Sequence, residues 1–393
     1  MAVREEKRFC TIFKRSPEEK KVNQVLMGVD STKRELIETK KELEDMTASL
    51  SSLMEEVKSL RAMVEEKETK TTKSTKKSDK WLGDVQYMIV KNYSKDVVWS
   101  IGSLFAHDDF VLKVDKICKE YGEEHSIKYA YGSIPCVLTG GVIPPRTATL
   151  DNALELIDEY NSAGISCRLA FTKKGVLEED MRDGIVTGLL SHLEKNNSDS
   201  IDNGVIVSDD RLARYIRDSY KIEIISSSLS TLLNDEEESL EYYNSLFDIY
   251  DIVRIYPRCF LFNRNIFDNL NHPERVEISV NNRDFLNRGL MKDYYRAVDI
   301  VCYRYAKNQD FKNDLDRVET ILSDINKGKR ERPLAGYTLS YHDILWLQSK
   351  GIKRFCLEGR DFNGISFVRD LGDYVFNYNY FLNIASSILE GVV

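Results

Sequence analysis

The sequence predicts an α/β protein: a (β/α)8 TIM-type barrel preceded by an N-terminal α-helical coiled coil. Three observations carry that expectation. Short apolar runs alternate with helix-period segments through roughly the last 265 of the 393 residues, apolar residues near the start recur every seven positions, and a Thr/Ser/Lys run separates the two. A chain of this length exceeds what one core usually fills, so two parts are expected.

Residues 1–17 read as an N-terminal tail without the apolar stretch of a signal peptide. The heptad follows, within residues 18–68. Val22, Val29, Leu36, Leu43, Leu50, Val57 and Val64 hold one position, and Val25, Met46, Leu53 and Leu60 hold the position three later. These are the a and d sites of a supercoiled helix pair. The apolar seam is narrow and its flanks are crowded with Glu and Lys, as in "KRELIETKKELEDM", whereas a helix packed on a domain shows a wider apolar face. Valines at a and leucines at d favour a dimer over a trimer, so self-association through this segment is expected. Residues 69–80, "TKTTKSTKKSDK", contain nothing that can pack and read as a charged linker.

Charge divides along the same line. Residues 1–80 carry 19 Lys and Arg against 16 Asp and Glu, leaving 37 against 48 for the remainder. So acidic a globular part lacks the clustered positive charge that nucleic-acid binding requires. No segment approaches 18 uninterrupted apolar residues, so no integral membrane segment is expected. The seven cysteines are scattered without a C-x-x-C pair, which fits unpaired core thiols and a cytoplasmic location.

Residues 81–393 form the expected barrel domain. Strand candidates are 127–134, 165–171, 204–208, 222–227, 251–256, 276–281, 334–339 and 353–358, and between several of them lie segments of 3.6-residue period such as "DNALELIDEYNSAG". The strands are short and nearly continuous in apolar residues, as when helices cover both faces. The competing doubly wound sheet would place a G-x-G-x-x-G turn after the first strand, and "GSIPCVLTGGVIPP" does not fit it.

The order "GVIVSDDRLARYIRDSYKIEIISSS", "YDIVRIYPR", "VEISVNNRD" and "SYHDILWLQSKGIKRFCLEGRD" resembles the barrel of the collagenase-like peptidase family and its uncharacterised bacterial relatives, over about residues 127–376. The family often carries a cysteine cluster after the asparagine-bearing strand, and "VNNRDFLNRGLMKDYY" has none. The resemblance implies a barrel, with neither peptidase activity nor cysteine-bound metal attached to it, and a biosynthetic setting such as surface-glycan synthesis.

A barrel's active site lies at the C-terminal ends of its strands. There Glu358 and Asp209 are the candidate catalytic carboxyls, Glu358 as a general acid or base facing Asp209. Each has a structural alternative: an ion pair to Arg258 or Arg360 for Glu358, and an N-cap for Asp209. Arg146, Arg258, Arg360 and Asn281 are the candidate substrate-binding residues, since guanidinium forks near a helix N-terminus suit an anion of the sugar phosphate or nucleotide sugar class. In "TGGVIPPRTATL", Pro144 and Pro145 stiffen the backbone before Arg146, and Thr147 or Thr149 is placed to cap the next helix. His107, His125, His192, His272 and His342 show no metal-ligand spacing, and no G-x-S-x-G elbow appears. No cofactor is legible. The function expected is an enzyme-like barrel that binds an anionic small molecule. The alternative is an assembly protein whose coiled coil presents degenerate barrels to a partner.

Overall fold

A computed structural model describes residues 90–91, 93–102, 104–105, 109–141, 148–233, 238–256, 259, 263–281, 288–331, 338–358 and 364–377. The chain divides into two units, Met1–Asp84 and Val85–Val393, and every described residue belongs to the second. The tail, the coiled coil at 18–68 and the linker at 69–80 lie outside the described residues.

Eight parallel strands close into a barrel in chain order: β1 Val98–Gly102, β2 Ile127–Gly132, β3 Ser166–Phe171, β4 Gly204–Val207, β5 Glu223–Ser226, β6 Ile252–Ile255, β7 Val276–Ser279 and β8 Arg354–Leu357. β1 pairs with β2 on one side and with β8 on the other, which closes the ring.

The helices are α1 Phe110–Glu120, α2 Leu150–Ser162, α3 Glu178–Met181, α4 Gly184–Lys195, α5 Asp210–Ser219, α6 Leu229–Leu233 and α7 Leu240–Leu246. Four more follow: α8 Arg288–Ala306, α9 Lys312–Glu331, α10 Tyr341–Ser349 and α11 Gly364–Tyr374. Local signals set their ends. Thr149 caps α2 by accepting from the Asn152 N–H at 3.4 Å, and Gly164, at φ +87°, lets the chain turn back into β3. Ser340 and Asp343 form a reciprocal capping box on α10.

The barrel differs from the sequence expectation at three points. "IKYAYGSI" is β2, and the first strand is the earlier run "VWSIG". Of the strand candidate 334–339, the described residues 338 and 339 lie in no strand. Residues 334–337 lie outside the described residues, Leu339 donates its N–H to the Val280 carbonyl at 2.8 Å without joining a ladder, and β8 already pairs with β7 directly. Thirdly, the chain contributes a further bridge beyond the barrel strands: α11 ends at Tyr374, and fully buried Phe376 bridges antiparallel to Val90. α9, with the weakly apolar sequence "KNDLDRVETILSDINKGKRE", was not anticipated.

Alternate residues of each strand face the axis, so layers of four side chains from alternate strands fill the interior. One layer is Ser100, Arg168, Glu223 and Glu277, from the four odd-numbered strands. Arg168 donates to Glu223 Oε2 at 2.6 Å, to Glu277 Oε2 at 2.7 Å and to Ser100 Oγ at 2.9 Å, and its guanidinium stacks 3.4 Å from the Tyr129 ring centre. Where such barrels usually carry Val, Ile and Leu, this one carries ion pairs.

The next layer toward the strand C-termini is Tyr131, Ile206, Arg254 and Cys356. Arg254 Nε donates to Glu277 Oε1 at 2.5 Å, and its guanidinium lies 4.5 Å from the Tyr131 ring centre. Above that come Gly102, Ala170, Ile225 and Ser279. Outside the ring, the other strand faces pack with the helices into one large apolar core that includes Trp99, Leu169, Val205, Ile278 and Phe355.

Between β7 and β8 the chain is long enough for three helices. α10 is the outer helix of this unit, packing Ile344 and Leu347 into the core. α8 and α9 pair as a hairpin that closes a separate cluster of Ala297, Val298, Val301, Cys302 and Val318. The first half of α8 packs Met291 and Tyr295 on Leu229, Leu232 and Leu233 of the β5 loop. Its second half brings Asp299 and Tyr303 to the loops after β2 and β3. At about 1.5 Å of rise per residue, its 19 residues span roughly 28 Å, so α8 lies as a chord across the C-terminal mouth.

Candidate active site at the C-terminal rim

Two adjacent lysines mark the end of β3. Lys173 Nζ pairs with Asp180 Oδ2 at 2.6 Å and sits 3.9 Å above the Tyr303 ring, while Lys174 Nζ donates to the Ser208 carbonyl at 2.6 Å. Asp299 reaches them from α8. Its two carboxyl oxygens accept the Gly141 N–H at 3.2 Å and the Lys174 N–H at 3.3 Å. The residue is partly exposed, but burial of its carboxyl group raises its pKa to about 7, against the opposing pull of those two N–H groups and the two lysines.

This contact dictates the glycine at 140. A Cβ there would overlap Asp299 Oδ1 and stand 2.9 Å from the Lys173 backbone nitrogen, and Gly141 adopts φ +75°. Gly140→Ala is therefore expected to push α8 off the rim and destabilise the domain by about 1–3 kcal/mol, the usual scale for overpacking. Thermal or urea denaturation reads the change.

The residues proposed from sequence fall into three groups. Asp209 is the N-cap of α5: Oδ1 accepts the Arg211 N–H at 3.0 Å and Oδ2 accepts the Val176 N–H at 3.3 Å. Burial works against its charge, but the bonds from Arg211 and Val176 and the charge on Lys174 prevail, holding its pKa below the usual range and the group ionised.

Asn281 and Glu358 are brought together at the ends of β7 and β8. The Asn281 side chain accepts the Glu358 N–H at 2.7 Å, donates to the Glu358 carbonyl at 3.0 Å, and donates to Asp370 Oδ2 on α11 at 2.7 Å. Buried and fully engaged, Asn281 positions the backbone of Glu358. Arg146, Arg258 and Arg360 lie outside the described residues.

Deeper on the axis, Cys356 is a neutral thiol: burial pushes its pKa up to about 12, Glu358 adding to the rise and Arg254 opposing it. Among the described residues no group of three or more His, Cys, Asp or Glu is arranged to hold a metal ion, and no helix is long and apolar enough to cross a membrane. All six described cysteines are buried thiols that form no disulfide among themselves.

Lys173, Lys174, Asp299 and the interior arginines were not among the sequence candidates. The lysines were within reach, because "FTKKG" directly continues the strand candidate 165–171. Asp299 had no local signal.

A scan against protein-family models and a search of the curated proteins found no match. Among solved structures the chain is similar to the U32 peptidase Mk0906, at 14% identity and a TM-score of 0.42, with 68% of this chain and 94% of that one covered. It is also similar to the citrate synthase SbnG, at 14% identity and a TM-score of 0.25, with 76% and 96% covered. The resemblance to the collagenase-like peptidase barrel is thus a distant one, carried by 14% identity.

Proposed function

We propose that this barrel is enzyme-like and binds an anionic small molecule, of the sugar phosphate or nucleotide sugar class, at the C-terminal rim. The observation that carries this reading is the meeting of Lys173, Lys174 and a carboxyl of pKa about 7, Asp299, at the strand ends beneath α8. Cations beside a group that exchanges a proton near neutral pH are what acid–base work on an anion requires.

In this reading Glu358 is the acid or base on the axial side, set in place by Asn281. Asp209 is the ionised carboxylate that fixes the β4–α5 turn, and Arg146, Arg258 and Arg360 bind the anionic group. The coiled coil would join two cytoplasmic copies, in a pathway such as surface-glycan biosynthesis.

The test is a ligand-observed NMR screen of sugar phosphates and nucleotide sugars against the full chain and against a triple Arg146→Ala, Arg258→Ala, Arg360→Ala variant. Saturable binding that the triple variant loses is the expected result; no binding by the wild-type chain rejects the reading.

One observation favours the alternative, a docking module presented by the coiled coil. The α8–α9 hairpin exposes Ile300 and Leu322, at 39% and 40% of their surface. If that reading holds, the function survives the triple substitution and is lost when residues 1–68 are removed.

A further inference from the structure

Three buried polar atoms in the upper half of the barrel have no hydrogen-bond partner: Arg254 Nη2, Ser279 Oγ and Ser208 Oγ. Arg254 and Ser279 are 8% and 5% exposed, and Ser208 is fully buried. All three residues share the strand parity that faces the axis, since their strand-mates Ile206 and Ile252 belong to the small interior apolar cluster and Glu277 to the interior ion-pair layer. Buried polar groups are nearly always satisfied, so three orphans along one axis call for a partner that arrives from outside.

Space accompanies them. The layer at the level of Ser279 is built of Gly102, Ala170, Ile225 and Ser279, three of them small. Tyr131 and Ala170 face the axis and keep water-accessible surface, although the outward neighbours Ala130 and Leu169 are 0% and 1% exposed. The opening therefore runs down the axis beneath α8, walled by Ala170 and Ser279 and floored by Arg254 and Tyr131.

We propose that this axial opening is a subsite for a carboxylate group, held by Arg254 Nη2 and Ser279 Oγ, with Ser208 Oγ toward the rim. This rests on the anionic-ligand reading above and narrows it to a ligand that carries a carboxylate. The charge and donor count select that group. Two arginines and two glutamates, Arg168, Arg254, Glu223 and Glu277, neutralise one another in the layers beneath. Arg254 spends its Nε on Glu277, and its Nη2 is buried without a partner. One guanidinium nitrogen and one hydroxyl match the two oxygens of a singly charged carboxylate. The third oxygen and second charge of a phosphate would meet the apolar Ile225 and the Tyr131 ring.

The test titrates the full chain at pH 7 with 13C-labelled acetate and pyruvate, and separately with inorganic phosphate followed by 31P NMR. Saturable carboxylate binding is expected. Ser279→Ala should weaken it about tenfold, the usual loss for one hydrogen bond to a charged group, while leaving the melting temperature unchanged or higher, because it removes an unpartnered hydroxyl. Ala170→Leu should abolish binding by filling the opening.

Carboxylate affinity unchanged by Ser279→Ala, or binding of phosphate but of neither carboxylate, overturns the proposal. If Ala170→Leu does not fold, Ser279→Ala decides alone. The rim reading stands or falls separately, on sugar phosphate binding by the arginine triple variant.

Discussion

Glu277→Ala is expected to be the most damaging single substitution in the barrel, costing about 3–5 kcal/mol of stability, the range for breaking a buried ion pair from one side. Glu277 is 1% exposed and accepts from Arg168, Arg254 and Ser100. Without it, Arg254 keeps a buried charge and no carboxylate, and Arg168 keeps only Glu223. Removing the charges together should cost far less, because neither guanidinium is then left uncompensated. A combined Arg168→Met, Glu223→Leu, Glu277→Leu, Arg254→Leu variant is expected to lie well above the sum of its parts in urea denaturation, and a simple sum would show that the four do not act as a unit.

The same network fixes the acid limb of stability. Burial alone would raise the Glu277 pKa, but Arg254 and Arg168 overcome it and hold the carboxyl at about 2 against an ordinary 4.5. A folded-state pKa below the unfolded one means that the contribution is fully present above about pH 4.5 and fades as pH falls toward 2. Glu277→Gln should flatten that limb. An unchanged slope between pH 4.5 and 2 would mean that other carboxylates dominate it.

The comparison of sequence with structure separates what is local from what is not. β2 to β8 were legible because each is a nearly continuous apolar run closed by turn residues, and α2 because Thr149 and Gly164 bracket its period. β1 was not among the strand candidates, although "VVWSIG" is as apolar as the rest. The segment "LAGYTL" was read as a strand on composition alone, and composition cannot show that β7 and β8 are already paired.

The site divides in the same way. The N-cap alternative for Asp209 was legible beside its candidate catalytic role, because capping is a matter of two or three consecutive residues. Arg168, Arg254 and Glu277 sit in "ISCRLAF", "DIVRIY" and "VEISVN", where single charges interrupt apolar strands. Each on its own is a surface residue by default. Only barrel closure brings them into one network, across separations of 55 to 109 residues for the Arg168 pairs. Asp299 is hidden more thoroughly, since nothing in an amphipathic helix says that it will be laid across the mouth of its own barrel.

Asp299 gives the second large effect, with the opposite sign in pH. Its pKa is raised to about 7 from 3.8 because burial disfavours the charged form more than the Gly141 and Lys174 N–H groups and the lysine charges favour it. A folded-state pKa above the unfolded one means that the protein gains stability from holding this proton below about pH 4, and loses that gain as pH rises through 7. Three pKa units correspond to roughly 4 kcal/mol, an upper bound that solvent at the partly exposed side chain reduces. Wild-type stability should therefore decline between pH 4 and 7, a window clear of the Glu277 limb, and Asp299→Asn should be flat there. Equal slopes in the two proteins would reject the assignment. The slope has a mechanical reading as well. The carboxyl that charges near neutral pH is the one that joins α8 to the loops after β2 and β3, so the helix covering the mouth is held least firmly above pH 7. A ligand bound beneath it should then exchange faster at pH 8 than at pH 6, and Asp299→Asn should remove the difference.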